Sequence, residues 1–568
     1  RPFVSVILLV GLWVGELCLG GTLATYPHRG FFEVSLRTDA ELDNPYMDVR
    51  IKVVFEKPGG SKVSVDGFYD GDGTFKARAY CDTIGEWRWR SSSNVDDLDG
   101  RRGSFEVRAS SLPGKLRLHG KDPRQFAYDN GQWFLHIGDT GYRYVTQTEP
   151  KWRDYIDQAA KMGATKIRTW FCQSRSDVQI LFANDRKRLN LAYWQEIDRR
   201  LRYAFEKHPQ VIFELIPYGE DAEELRRYGE GDEGAKLIAR YAQARFSALP
   251  NIYWCISNDR EIVTGGKLTG RKILRRTINT IGKDMAAREP WGTLMTNHQS
   301  RWKGYDFVSS DWSDIITLED LDQVDGRIFK EYYDEYAVPI VLDEDRYEHW
   351  RNPKHDRYYF RRLMWASLLS GGQATYGGLK TYEPYDGNIA GVQGYFDAVA
   401  AGKLEHGADD FVHIHTFFAD SGLTLVNMKP DDEIVGDQPG RFKCIHNDKA
   451  YIVYLANPDN DKPGEANAAP TVPSVTIQLP GGTFSARWFD PRTAQWTDGG
   501  SVRGSKQKLT APGEGDWILL LQSESTLPAK GPLRIHPKNP RCVCKRNKER
   551  THESTRFPSD GYRRSGCG

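Results

Sequence analysis

At 568 residues the chain has room for about three domains of ~150 residues, although one α/β barrel alone takes ~250. Lys plus Arg (78) nearly balance Asp plus Glu (77), for a formal charge of +1, so no global field points to nucleic acid or to an acidic membrane surface. The charge is unevenly spread: from Lys530 to Gly568 there are 11 basic against 3 acidic residues, +8 locally, which leaves −7 for everything before it.

The chain opens with an apolar stretch from Phe3 to Leu19, broken only by Ser5, Glu16 and glycines, and followed by a small-residue exit ending at Ala24. A basic first residue, an apolar core and a Thr-x-Ala end suit a secretory signal peptide over 1–24 better than a retained anchor, which predicts a secreted or periplasmic protein, free or surface-associated, with no integral span after cleavage. No other run approaches the ~18 apolar residues that a span requires. The eight cysteines are too sparse for a disulfide scaffold; Cys172 and Cys255, at predicted strand ends, read as small buried apolar residues, and Cys542-Val543-Cys544 lacks zinc-ligand spacing. No metal and no cofactor is expected.

Residues 30–110 alternate apolar and polar in short runs such as Asp48–Phe55 and Glu86–Arg90, separated by turn clusters such as Lys57-Pro58-Gly59-Gly60. This spacing predicts an immunoglobulin-like β-sandwich, with Trp87 and Trp89 in core and edge packing. Past Pro113-Gly114 the period changes. Strand-like runs at Trp133–Ile137, Thr165–Phe171, Val211–Pro217, Ile252–Ser257, Gly292–Thr296, Phe307–Asp311, Val338–Leu342 and Ala374–Gly377 alternate with amphipathic segments such as Trp152–Met162, Trp194–Lys207, Ala235–Ser247 and Tyr358–Ser370. Eight strands separated by helices predict a central (β/α)8 TIM barrel over 115–405, in a multidomain chain. From 409 to 522 short alternating strands return, Ala450–Ala456 and Asp516–Leu521 among them, and predict a second β-sandwich. The Pro-, Arg- and Lys-rich remainder, 523–568, has little to bury and is expected to be a disordered basic tail.

Barrel chemistry gathers at the carboxyl ends of the strands. The polar residues ending the predicted strands are Asp139 and Thr140, Arg168 and Trp170, Tyr218, Asn258 and Asp259, Asn297 and His298, Asp311 and Trp312, Asp343 and Glu344, and Tyr376. Carboxylates, an arginine, a histidine and aromatics together suit a sugar pocket, in which rings pack on pyranose or furanose faces and polar groups bond hydroxyls. Asp259 and Glu344, each ending an apolar run, fall after strands four and seven and can face one another across the barrel mouth. Retaining glycoside hydrolysis needs such a pair, one group as acid then base and the other as nucleophile, about 5 to 5.5 Å apart. Asp259 is assigned as acid/base and Glu344 as nucleophile. Asn258 would hold a sugar 2-hydroxyl and Arg168 would orient Glu344 and keep it ionised. The substrate-binding set is completed by Asp139, Trp170, His298, Asp311 and Tyr376. Bland alternatives stand beside these: Asp259 as a helix cap with local ion pairs, any one of Asp343, Glu344 and Asp345 as the inward acid, and His298 and Asp311 as structural groups.

Phe134–Thr140, Asn251–Asp259 and Ile340–Glu344 together resemble the apiosidase-like glycoside hydrolases and their neighbours in the retaining barrel superfamily, over roughly 115–405. The flanks agree: Gly85-Glu86-Trp87 and Gly103–Val107 resemble the immunoglobulin-like module that precedes such barrels, and Phe489–Thr493 with Gly515–Leu520 resemble the terminal sandwich sometimes labelled collagen-binding. The resemblance implies an acid/base after strand four and a nucleophilic Glu after strand seven, acting on poly- or oligosaccharide. One departure is the Asp at position 259, where most of the superfamily carries Glu; the shorter acid serves a deeper-lying substrate or widens the pair toward inversion. The competing reading is a barrel that has lost activity and serves as a carbohydrate-binding or collagen-binding surface protein. A peptidase or other hydrolase is disfavoured by the lack of a His-Glu-x-x-His motif or a Gly-x-Ser-x-Gly elbow.

Overall fold

A computed structural model describes residues 23–146, 148–172, 178–301, 304–346, 357–377, 407–436, 441–458 and 469–524. All but the last two residues of the expected signal segment, and the expected tail from 525 onward, lie outside these residues. The N-terminal module is a sandwich of two sheets. One contains Thr25–Pro27, Ile51–Glu56, Lys62–Asp66, Gly85–Ser93 and Arg102–Arg108, and the other Phe31–Arg37, Phe68–Gly71 and Thr74–Tyr80. Alternation puts Phe32, Val53, Phe55, Trp87 and Phe105 inside, with Phe32 stacked on Phe105 at 3.9 Å. Trp87 is core, while Trp89 lies over Gly103, where an added Cβ would sit 2.8 Å from the indole. The module is clamped to the barrel by buried charge: Arg78 pairs with Asp198 at 2.5 Å, and Arg245 joins the same carboxylate at 3.0 Å.

The barrel strands are β1 (Gly138–Asp139), β2 (Lys166–Trp170), β3 (Ile212–Ile216), β4 (Ile252–Cys255), β5 (Met295–Thr296), β6 (Ile316–Glu319), β7 (Ile340–Glu344) and β8 (Gln373–Tyr376). They pair in parallel in the order β5-β4-β3-β2-β1-β8-β7-β6. The seam between β5 and β6 is closed without a ladder: Asp314 N–H donates to Met295 O at 2.9 Å, Thr296 Oγ1 donates to Ile315 O at 2.8 Å, and the Thr296 and Thr317 hydroxyls meet at 2.7 Å.

Two predicted strands moved. Trp133–Phe134 forms an antiparallel sheet with Leu116–His119 and Asp122–Tyr128, and β1 begins four residues after Phe134. The side chains of Leu116, Phe126 and Phe134 plug the bottom of the barrel against Ile212, Tyr253, Leu294, Ile315 and Val341. Residues Phe307–Asp311 are turns, not strand six: Ser310 N–H returns to Phe307 O and Ser313 N–H to Ser310 O, both at 2.9 Å. The Ser-Ser-Asp run satisfies its own backbone locally and so does not extend. Phe307 and Trp312 pack inward, and the barrel strand follows at Ile316.

The two-residue period of each strand sorts the interior into layers. Above the apolar plug come Lys166, Arg168, Glu214, Asp343 and Thr375, all buried. Above these lie Trp170, Ile216 and Cys255 beneath Tyr142. Cys172 and Cys255 are buried. The C-terminal sandwich sets six strands, among them Ala450–Leu455, Thr483–Asp490 and Trp517–Ser523, with the pair Ser474–Gln478 and Lys506–Thr510. It is tied to the barrel helix Arg357–Leu369 by Arg361, whose guanidinium reaches Asp516 at 2.7 Å and Asp410 at 2.6 Å. No helix among the described residues is long and apolar enough to cross a membrane.

Candidate active site

Just past β4 the chain turns sharply at Asp259, a non-glycine residue at φ +48°. Its neighbours make the turn tolerable: Asp259 N–H donates to His298 Nδ1 at 3.1 Å, and Arg260 and Gln299 form a parallel bridge that prolongs the β4–β5 contact. The next residues, Glu261–Val263, are a strand, which removes the helix-cap reading. The turn aims a buried carboxylate into the mouth of the barrel. Asp259 Oδ2 pairs with Arg271 at 2.5 Å, and Oδ1 has no hydrogen-bond partner among the described residues. Burial first, then the Glu344 carboxylate, push its pKa up, while Arg271, Arg260 and Arg301 oppose.

The three successive acids at the end of β7 go to three places. Asp343 points into the barrel; burial penalises its charge, but Arg168 and Lys166 outweigh that and hold it well below the usual carboxylate range. Asp345 is a loop brace, accepting from Asp322 N–H at 2.8 Å, Gln323 N–H at 2.9 Å and Tyr359 Oη at 2.8 Å. Glu344 alone faces the mouth, where Tyr142 Oη donates to its Oε2 at 2.6 Å and an Arg168 nitrogen lies 3.6 Å away. Arg168 holds the whole array: its fork donates to Tyr142 Oη at 2.7 Å, Asp343 O at 2.8 Å and Asn258 Oδ1 at 2.6 Å.

Of the nine site residues expected from sequence, Arg168, Asn258, Asp259, His298 and Glu344 converge here. Four do not. Asp311 is exposed, on the turns that replaced the predicted strand six. Tyr376 faces outward from β8, its ring edge-on to Phe360 at 4.8 Å and Phe411 at 5.3 Å. Asp139 also faces the helices and accepts from Tyr155 Oη at 3.2 Å. Trp170 does point inward, but it is 1% exposed with Tyr142 stacked flat on it at 4.3 Å, so it is a floor beneath Tyr142 rather than an open sugar platform. The neighbouring Tyr218 is buried and donates to Ala235 O at 2.8 Å.

Three further residues enter that the sequence reading passed over. Tyr142 sits on the loop after β1. Glu220, past the end of β3, accepts from Asn258 Nδ2 at 3.3 Å; burial raises its pKa to about 7, with Arg260 opposing and Glu344 and Asp259 adding to the rise. Glu319 ends β6, paired with Arg301 at 2.7 Å. It carries the same signature as Asp259 and Glu344, an acid closing the apolar run Ile315–Leu318, and was hidden by the misplaced sixth strand. His298, Glu319 and Glu344 bring ligand-type atoms within 4.8 Å of one another.

Known proteins resemble this chain in the same regions. A family model described as the apiosidase-like catalytic domain matches residues 120–410, more than half of the chain, and a model of a domain of unknown function, DUF5060, matches 27–94. A candidate glycoside hydrolase from Bacteroides vulgatus ATCC 8482 superposes with a TM-score of 0.70 at 17% identity, covering 88% of this chain and all of its own. A family 5 glycoside hydrolase of the same organism gives 0.57 at 15% identity, over 73% of this chain and 94% of its own. Another glycoside hydrolase gives 0.58 at 16%, over 73% and 99%. A search of curated proteins finds no match. The structural neighbours establish the barrel with its flanking sheets, and the matched model, which spans all eight barrel strands, shows that the chain belongs to the apiosidase-like family.

Proposed function

We propose that the protein is an exported glycosidase that hydrolyses poly- or oligosaccharide by a retaining double displacement. The observation that carries this reading is the convergence of two buried carboxyl groups, Asp259 beyond β4 and Glu344 at the end of β7, with Glu344 held by Tyr142 and Arg168. Glu344 attacks the anomeric carbon while Asp259 protonates the departing glycosidic oxygen, leaving a glycosyl ester on Glu344. Asp259 then takes a proton from water, whose oxygen attacks the same carbon and frees the carboxylate. In this reading Asn258, which accepts from Arg168, holds a sugar hydroxyl. The apolar leader is the ground for export to a secreted or periplasmic location.

The test is to incubate the full chain with 4-nitrophenyl pentosides and hexosides and with plant and algal polysaccharides, following the anomeric proton of the first product by NMR. Release with retained configuration is expected. Inverted product would sink the double displacement, and saturable glycan or collagen binding with no bond cleavage would favour the binding-protein reading instead.

Arg271 sets the pH range of this chemistry. Its side chain is 54% exposed, so Arg271→Met should fold normally. Arg271 opposes protonation of Asp259, so its loss lets Asp259 keep its proton to higher pH. The alkaline limb of the kcat/KM profile is therefore expected to move upward. A profile unchanged by Arg271→Met but moved by Glu220→Gln would transfer the acid role to Glu220.

A further inference from the structure

Beside Glu344 lie two buried polar atoms without hydrogen-bond partners among the described residues, His298 Nε2 and Glu319 Oε2. Both side chains are 0% exposed, and the two atoms stand 3.9 Å apart, too far to bond to each other. Unpaired polar groups this deep each cost ~1–3 kcal/mol, which points to a ligand rather than to packing. Any three atoms within 4.8 Å of one another have a point no more than about 2.8 Å from each, the length of a hydrogen bond to oxygen. One oxygen can therefore bond His298, Glu319 and Glu344 together.

The hydrogen-bond chemistry says what that oxygen carries. The Nδ1 lone pair of His298 is occupied by the Asp259 N–H at 3.1 Å. Burial, with Arg168 second, holds His298 well below its ordinary pKa, so the ring is neutral and its one proton is on Nε2. An Nε2–H is a donor and has no lone pair for a metal ion, which argues against reading the His298, Glu319, Glu344 triangle as a cation site. Arg301, on Glu319, and Arg168, near Glu344, add positive charge that a cation would have to face. Burial, then the Glu344 and Asp259 carboxylates, raise the Glu319 pKa well above its ordinary value against the pull of Arg301. A hydroxyl, both donor and acceptor, matches this set: its oxygen accepts from His298 Nε2–H, and its proton goes to a carboxyl oxygen of Glu319 or Glu344.

We infer that His298 and Glu319 form a hydroxyl-reading subsite, which bonds one hydroxyl of the sugar ring whose anomeric carbon faces Glu344. The inference rests on the glycosidase reading of Glu344. It predicts a sugar specificity that aromatic stacking could not give: the analogue lacking that hydroxyl leaves His298 Nε2–H and Glu319 Oε2 unpaired and is rejected, and its O-methyl ether does not fit.

The test compares aryl glycosides with their monodeoxy counterparts. For the 4-nitrophenyl glycoside turned over by the full chain, removal of one ring hydroxyl is expected to lower kcat/KM by ~10⁴-fold. In Glu319→Ala that selectivity should shrink to ~10-fold or less, while Glu319→Gln, which keeps a hydrogen-bonding group in place, should retain most of it. Parent-like selectivity in Glu319→Ala, or no sensitive hydroxyl in the parent, overturns the subsite. Full activity in Glu344→Gln would instead overturn the role of Glu344 as nucleophile, on which the inference rests. Two arms need no substrate. Two-bond proton–nitrogen NMR should find a neutral histidine with Nε2–H and no titration near pH 6.5, and calorimetry with zinc chloride should show no stoichiometric site. An Nδ1–H tautomer, or one zinc bound per chain and lost in Glu319→Gln, overturns the proposal.

Discussion

Glu344→Gln is expected to lower kcat by ~10³-fold or more, about 4 kcal/mol of transition-state stabilisation, with the fold unchanged. Gln is isosteric and its amide oxygen still accepts from Tyr142 Oη, so the mouth of the barrel keeps its shape. What is lost is the nucleophile. Steady-state rates on the best aryl glycoside, with circular dichroism as the control for folding, measure the effect. The smaller Glu344→Ala leaves room for azide, which should restore turnover and give a glycosyl azide of the configuration opposite to the substrate. Asp259→Asn should behave differently in one respect. It removes the acid but not the nucleophile, so a dinitrophenyl leaving group, which needs no proton, should still depart at near-parent rate in the first step. Near-parent kcat in Glu344→Gln on any substrate that the parent cleaves would remove Glu344 from the mechanism.

Arg168→Met should have the largest effect on stability, about 3–5 kcal/mol. Arg168 is fully buried and balances charge in the middle of the barrel: its Nε lies 3.3 Å from Glu214 and 3.4 Å from Asp343. Lys166 faces the same two carboxylates, 2.6 Å from Glu214 and in contact with Asp343. Removing the guanidinium leaves two buried acids to share one ammonium. Burial and Asp343 already push the Glu214 pKa up, so one of the pair would have to take up a proton. The same substitution strips donors from Tyr142 and Asn258, and so loosens Glu344 and the residue beside Asp259. The denaturation midpoint should fall and kcat with it. Arg168→Lys, which keeps the charge but cannot serve three acceptors in one plane, should lie between. A midpoint within ~1 kcal/mol of the parent in Arg168→Met would mean that the charged layer does not support the barrel.

Much of the architecture was legible because burial writes itself into pattern. Helices Leu191–Lys207 and Glu233–Phe246 fall where amphipathic periodicity puts them, and β3, β4 and β7 fall on largely apolar runs long enough to cross the barrel. The misses have the opposite cause. Gly138–Asp139 is only two residues long, too short to set a period, and Phe307–Asp311 imitates a strand while its serines bond within turns. The error at strand six then propagated to the site: it put forward exposed Asp311 and passed over Glu319 four residues beyond Ile315.

An acid after an apolar run needs only local order to be noticed, so the barrel between two sandwiches and the positions of Asp259 and Glu344 beyond strand ends could be read from residue order alone. Which way each side chain points was decided by tertiary structure, because facing in a closed barrel depends on register and on non-local partners. Tyr376 and Asp139 turn outward with the pleat, and the acids 343, 344 and 345 separate into a core ion pair, a mouth carboxylate and a loop brace. Tyr142, Arg168 and Asn258, far apart in the chain, meet over Glu344 through hydrogen bonds that no spacing announces. The left-handed turn at Asp259, held by His298 from the next strand, is set by the same closure.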